Sequence, residues 1–261
     1  MTIRAVLFDL GDTLWYYATM PPIDAIRRET VRRILDLLRA WGIEPNEDHY
    51  FLGRDIRLAV ERANEEAFAR DCVSPHFPTL VREVTASKGL VLDDDQAVQL
   101  WHTWNLGGPF FGRTLFPDVL PTLDWLRAGG YRIGSVTNRS LGGGPFQDEM
   151  REYGLLDYFD VLSISCDVGY LKPHPRIFQH ALDALAVAPE EALMVGDSLR
   201  ADVAGAQALG MTAVWKRNHA SPADSGLDHS DGAITPDFTI ETVGELTVLP
   251  VFCPGGPRSG R

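Results

Sequence analysis

The chain has 261 residues, 45% of them hydrophobic, and a formal net charge of −12. That is enough apolar material for one large core, or for a domain with a smaller companion. The acidic balance argues against nonspecific nucleic-acid binding, which needs basic surface over phosphates, yet it leaves room for a small anionic substrate held by a few local cations.

In chain order, residues 3–8, IRAVLF, read as a buried strand, short, β-branched and closed by turn chemistry. The stretch 24–41 puts Ile26, Val31, Ile34, Leu35, Leu38 and Trp41 on one helical stripe that Gly42 ends. Ile56, Ala59, Val60, Ala63 and Ala67 repeat the pattern over 54–68. Ala97, Leu100, Trp101 and Trp104 do so over 93–104, after an Asp-rich start that suits a helix N-terminus. Residues of about 18 to 112 are therefore expected to be mostly helical, with no strand. The texture then changes. FPDVLPTLDWLRAGG reads as a helix that begins near a Pro and stops at a Gly pair. YRIGSVTN is a strand with a polar end. A helix over 146–153, a strand DVLSIS, a helix over 175–186, a strand ALMVGD, a helix over 200–209 and a strand TAVW follow. A short strand DFTI and a helix over 241–247 come last. SLGGGPF and 217–236 read as loops.

Alternating strands and helices predict an α/β fold with a parallel sheet covered on both faces. The expected organisation is an α/β core from 1–16 and 113–250, a mostly helical insert at 17–112 and a flexible tail at 251–261. The three cysteines, Cys72, Cys166 and Cys253, are far apart and no CxxC occurs, which argues against a disulfide framework or a zinc site and for a reducing cytoplasm. Asp9 interrupts the N-terminal apolar run before a signal-peptide core forms, and no stretch approaches the roughly 20 apolar residues of a membrane span.

Polar clusters close the predicted strands, where open α/β sheets bind ligands. The first strand ends at Asp9. YRIGSV ends at Thr137 and Asn138. ALMVG ends at Asp197 and Ser198, with Asp202 five residues on, and Lys172 sits in GYLKPHP after DVLSIS. Each alone reads as a helix cap or a solvated loop residue. Together, in this order on one scaffold, they make a chemical set. A carboxylate attacks phosphorus to give an aspartyl-phosphate. A metal must bridge the two anions, and Mg²⁺ suits carboxylates, carbonyls and water. A hydroxyl and a cation hold the remaining phosphoryl oxygens. In this reading Asp9 is the nucleophile, Asp197 a metal ligand, Thr137 the hydroxyl and Lys172 the cation.

VLFDLGDTL, GSVTN, LKPHPRIF and MVGDSLRADVAGAQALGM resemble, in order, the four motifs of the haloacid dehalogenase superfamily, in the subgroup with a helical cap between the first and second motifs. They span nearly the whole chain. The resemblance implies a Rossmann-like core and Mg²⁺ held by Asp9, Asp197 and the backbone carbonyl of Gly11. It implies Asp202 supporting the metal site, and a mobile cap that chooses a small phosphorylated metabolite. Thr137, Asn138 and Lys172 are the expected substrate contacts.

One departure matters. Phosphatases of this family usually read D-x-D-G-T, where the second Asp protonates the leaving alcohol and then activates water. Here position 11 is Gly and the acid stands at Asp12. Three readings follow: a phosphatase in which Asp12 or water moves the proton, a 2-haloacid dehalogenase-type hydrolase whose halide needs none, or a weakly active binding protein of this fold. For Asp12, a helix or turn cap competes with a catalytic role. The remaining expectations are plainer. Arg139 and His174 are expected in solvent, with a substrate anion as the alternative for Arg139. Trp101, Trp104 and Trp125 are expected in cores, and Trp15, Tyr16 and Tyr17 at the cleft or the hinge. GGGPF reads as a gate or a linker. Monomer and homodimer both fit.

Overall fold

The computed structural model describes residues 2–217 and 234–252. Most of the predicted 217–236 loop and the tail from Cys253 onward lie outside the described residues. Strand β1 (Ala5–Phe8) leads through a tight turn into β2 (Trp15–Tyr17). The chain then leaves for α1 (Ile23–Ala40), α2 (Leu52–Ala69), α3 (Phe77–Ala86), α4 (Asp94–Trp104) and one helical turn, α5 (Gly107–Phe110). It returns through β3 (Arg113–Leu115), antiparallel to β2. After α6 (Val119–Ala128) come β4 (Arg132–Thr137), α7 (Gly143–Glu152), β5 (Val161–Ile164), α8 (Ser165–Val168) and α9 (Pro175–Leu185). Strand β6 (Ala192–Gly196) is followed by a π-helical turn, Leu199–Ala204, that runs into α10 (Gly205–Gln207). Strands β7 (Thr212–Lys216) and β8 (Phe238–Ile240) and the 3₁₀ turns Val243–Val248 and Pro250–Phe252 close the description.

Six strands form one parallel sheet in the order β5-β4-β1-β6-β7-β8. The sequence explains its two buried faces. Side chains alternate along a strand. Val6, Phe8, Leu193, Val195 and Val214 face one apolar cluster with Leu123, Phe146 and Leu246. Ala5, Leu7, Ala192, Met194 and Ala213 face the other, with Ile177, Phe178 and Leu182 of α9. Strand β1 lies between β4 and β6, Phe8 level with Ser135 and Val195, so three strand ends open at one place.

The insert has its own core, in which Ile34, Leu38, Leu52, Ile56, Val81 and Leu100 are fully buried. Helix α4 begins as its sequence demands. Asp93 accepts the Gln96 backbone N–H while Gln96 accepts that of Asp93, a reciprocal cap. The insert docks on the sheet through named contacts. Trp101 Nε1 donates to Ser140 O at 3.1 Å, Leu171 N to Cys72 O at 2.7 Å, and Ser74 N to Gly169 O at 3.0 Å.

Several expectations change. Strands β2 and β3 were not expected; at three residues each they are too short to show alternation, and only pairing reveals them. Helix α3 carries just Phe77, Val81 and Thr85 as buried residues, and its start is set by His76 accepting the Thr79 N–H. The Gly run opens a helix. Gly143 opens α7 with Pro145 in its first turn, where a missing N–H is harmless, and Asp167 accepts the Gly143 N–H at 3.0 Å. The helix expected over 241–247 is 3₁₀. Residues 251 and 252 are not tail, since the Phe252 ring lies 5.1 Å from Tyr131 and 5.5 Å from Trp125.

Candidate active site

Parallel pairing fixes the first acid. The Asp9 backbone N–H continues the ladder by donating to Val195 O at 2.9 Å, so Asp9 projects from the sheet edge, 8% exposed. The chain then turns sharply. Thr13 N donates to Gly11 O at 2.6 Å, and Leu14 N and Trp15 N both donate to Leu10 O. The residue in the left-handed region is Asp12, with φ 51°, not Gly11. Asp is among the few non-glycine residues that tolerate this region. Lys216, at the end of β7 and 3% exposed, holds the turn: its Nζ donates to the Asp12 carbonyl at 2.8 Å.

Four chain segments deliver one ionic cluster. Lys172 Nζ lies 2.6 Å from Asp9 Oδ1 and 2.6 Å from Asp202 Oδ1. Asp202 Oδ2 accepts the Ser198 N–H at 3.0 Å. Gly196 makes this possible, because a Cβ there would overlap the Asp202 carboxyl. Carboxylate oxygens of Asp9, Asp197 and Asp202 lie within 4.8 Å of one another. One ammonium faces three carboxyls, and the imbalance shows in their protonation. Burial, then the charges of Asp9 and Asp202, push Asp197 up to about 8. Burial raises Asp202 to about 6 against the pull of Lys172. For Lys172, burial opposes the charge, but Asp202 and Asp9 outweigh it and hold the ammonium above its ordinary range. An all-oxygen donor set with surplus negative charge fits a hard divalent cation such as Mg²⁺.

Thr137 ends β4 beside this cluster, 2% exposed. Asn138 has a bracing job in the loop. Its amide is committed to the backbone of Lys172, accepting from N at 2.7 Å and donating to O at 3.1 Å. It braces the loop that presents the ammonium. A cavity of about 340 Å³ adjoins it, walled by Asn138, Arg139 and Leu171 and by Asn64, Glu65 and Phe68 of α2. Arg200, in the π-helical turn, reaches across to Phe68, its guanidinium carbon 4.3 Å from the ring centre.

Arg139 is not in solvent. Its guanidinium carbon lies 4.3 Å from the Phe146 ring centre and 5.8 Å from that of Trp15. Trp15, 1% exposed, belongs to the core behind the turn rather than to a cleft. Tyr16 packs on Phe116 with ring centres 4.8 Å apart, and Tyr17 is exposed near Phe111. His174 caps α9 by accepting the Arg176 N–H and stacks on Tyr170. Trp101 is buried in the core of the insert, while Trp104 and Trp125 are partly buried against theirs. The sequence reading missed Lys216, Arg113 and Glu149. Lys216 carries the same signal as the others, a charged residue closing an apolar strand. Arg113 and Glu149 carry none, since they meet only through folding.

The haloacid dehalogenase-like hydrolase family model matches residues 3–210. A glyceraldehyde 3-phosphate phosphatase from Methanopyrus kandleri is 32% identical over 94% of this chain and 95% of its own. A ribulose-1,5-bisphosphate 5-phosphatase from Halopiger xanaduensis is 36% identical over 94% of this chain and 98% of its own. Among solved structures, a 2-haloacid dehalogenase from Pseudomonas syringae pv. Tomato matches with a TM-score of 0.62 and 28% identity, covering 95% of this chain and 97% of that one.

Proposed function

This chain belongs to the haloacid dehalogenase-like hydrolases, and we propose that it is a Mg²⁺-dependent phosphatase acting on a small phosphorylated metabolite through an aspartyl-phosphate at Asp9. The observation that carries this reading is the convergence of Asp9, Lys172, Asp197 and Asp202 at adjoining strand ends. The full-length phosphatase relatives support it.

Lys172 holds Asp9 Oδ1, which leaves Oδ2 to attack phosphorus. The new bond joins Oδ2 to phosphorus while the bond to the leaving oxygen breaks. Lys172 and the Thr137 hydroxyl steady the charge on the transferring group. The leaving oxygen takes its proton from water or from Asp12. Water then attacks the same phosphorus as the Oδ2–phosphorus bond breaks, and the proton that this water sheds returns to the group that supplied the first one, so Asp9 is restored and orthophosphate departs. Asp9, Asp197 and the Gly11 carbonyl would hold Mg²⁺, with Asp202 in support. When bound, Mg²⁺ neutralises the carboxylates and the phosphoryl oxygens so that anion can approach anion. We further propose that 17–112 acts as a cover that closes over the substrate and excludes bulk water.

The test is phosphate release from an aryl phosphate, a sugar-1-phosphate and a sugar-6-phosphate, with and without Mg²⁺, beside Asp9→Asn. Metal-dependent release that is absent in the variant supports the reading; release that survives Asp9→Asn refutes the covalent mechanism. Gly11 favours one second reading, a 2-haloacid dehalogenase-type hydrolase, because a halide leaves without a proton. Halide release from 2-chloropropionate without metal would establish it. If neither product forms while Mg²⁺ and phosphate still raise the melting temperature, the chain is a binding member of the fold.

A further inference from the structure

We infer that the last two residues of β7, Trp215 and Lys216, are positioning residues for the two loops that would hold the divalent cation, and so favour Mg²⁺ over a larger ion; the inference rests on the metal-dependent reading above. Sheet register puts them there. Strand β6 pairs with β7 on one side, Gly196 level with Trp215, and with β1 on the other, Val195 level with Phe8. The ends of β1 and β7 therefore flank Asp197, and β6 separates the two strands. Side chains alternate along a strand, so Trp215 and Lys216 leave β7 on opposite faces of the sheet. Trp215 packs on the cluster of α9, and Lys216 shares the other face with Val214 and Phe116. Each reaches one backbone carbonyl. Trp215 Nε1 donates to Asp197 O at 2.8 Å, and Lys216 Nζ donates to Asp12 O at 2.8 Å.

The Lys216 bond acts through a single peptide group. The peptide between Asp12 and Thr13 gives its oxygen to Lys216 and its N–H to Gly11 O, 2.6 Å away. Gly11 O is the carbonyl that the proposed function assigns to the metal. A carbonyl oxygen has two lone pairs, so it can take a cation and keep that bond. What turns the 12–13 peptide therefore turns the ligand. Asp12, at the centre of this three-residue turn, has φ 51°. Such turns are rare and strained, and they persist where their surroundings hold them. Lys216 supplies that hold. It is 3% exposed, its Nζ lies 4.0 Å from the centre of the Phe116 ring, and Phe116 N donates to Leu14 O at 3.1 Å. The ammonium is thus enclosed beside the turn it grips. An apolar side chain would fill that space without the desolvation of an ammonium, so packing alone does not account for Lys216.

Ligand placement matters more to one ion than to another. Mg²⁺ demands near-ideal octahedral oxygens at about 2.1 Å, whereas Ca²⁺ accepts looser sets of roughly six to eight. Both ions carry two charges, so the repulsion of a nearby ammonium falls on both and largely cancels in the ratio of their affinities. The experiment measures Mg²⁺ and Ca²⁺ binding to the full chain by calorimetry, unaltered and with Lys216→Met. Loss of the positive charge favours both ions, but the ratio of Mg²⁺ to Ca²⁺ affinity should fall about three- to tenfold, the worth of one hydrogen bond. Trp215→Phe removes a donor without touching any charge and should lower the ratio in the same sense; it decides the matter if Lys216→Met does not fold. A ratio that stays within about twofold of the unaltered chain's, whether both affinities rise together or fall together, would overturn the inference and leave the metal reading standing. Binding of neither ion by the unaltered chain would overturn both. Phosphate release from an aryl phosphate by the unaltered chain is scored separately and tests only the phosphatase reading.

Discussion

Replacing Gly11 with Asp asks whether the missing proton donor limits turnover. The structure makes the substitution clean. A Cβ at position 11 meets nothing within 4 Å, and its φ lies outside the left-handed region. Strain is therefore absent, and the loss of glycine's freedom in the unfolded chain contributes roughly 0.4–1 kcal/mol toward stability. A further acid beside Asp9, Asp197 and Asp202 works against that gain, so the metal-bound protein is the form to compare. General acid–base catalysis supplies about 10² to 10⁴-fold, which bounds the effect on an alkyl phosphate. An aryl oxygen leaves with little need of a proton and should respond by less than about threefold. The assay is kcat/KM for an aryl and an alkyl phosphate, at saturating Mg²⁺, in the native and Gly11→Asp chains. The expected result is a rise confined to the alkyl ester. An unchanged ratio would refute the reasoning, because it would mean that Asp12 or water already delivers the proton as fast as phosphoryl transfer requires.

Asp12→Gly separates the two roles of Asp12: glycine adopts the left-handed region, so the variant should keep the native fold by circular dichroism, and a fall in alkyl-ester kcat of about 10² or more would make Asp12 the proton carrier. Gly196→Ala should displace Asp202 and cost about 1–3 kcal/mol in urea unfolding; a neutral result would contradict the close approach of that carboxyl. Lys172→Met leaves Asp9 and Asp202 facing each other unpaired, so it should cost on the order of 3 kcal/mol near pH 8 and recover as the pH falls and the acids protonate. Metal removal should show the same sign. With Asp197 raised from 3.8 to about 8 and Asp202 from 3.8 to about 6, the folded metal-free chain holds protons that the unfolded chain has lost, so these groups remove stability as pH rises from about 4 to 8. The difference in melting temperature between Mg²⁺ and chelator should therefore widen from pH 6 to pH 8; a constant difference would argue against a metal at these carboxylates.

The legible part of this molecule is the part written in short periods. The residues of β1, β4, β6 and β7 are apolar runs with polar ends, so their sequence both makes a strand and names the edge where chemistry gathers. Four of the expected residues, Asp9, Lys172, Asp197 and Asp202, do meet, although up to 163 positions separate Lys172 from its partner. What escaped the sequence depends on tertiary partners. That the Asn138 amide braces the Lys172 backbone is invisible until the two loops meet. Arg139 reads as a solvated loop residue until Phe146 and Trp15 enclose it. Strands β2 and β3 show themselves only through their pairing, Trp15 with Leu115, because three residues are too few to display alternation.

The turn after β1 joins these threads. In the D-x-D-G-T pattern the glycine follows the second acid; here acid and glycine have changed places. The left-handed residue is the fourth of the motif, Asp12, tolerated because Asp accepts that conformation and steadied because Lys216 holds its carbonyl. Gly11 supplies no conformation that another residue could not. Its consequence is chemical: in the proposed mechanism Asp9, Lys172, Asp197 and Asp202 act without help from side chain 11, while the proton for the leaving group lacks the source that a second Asp would give. Under the proposed function, phosphoryl transfer to Asp9 is intact and the leaving group's basicity sets the rate.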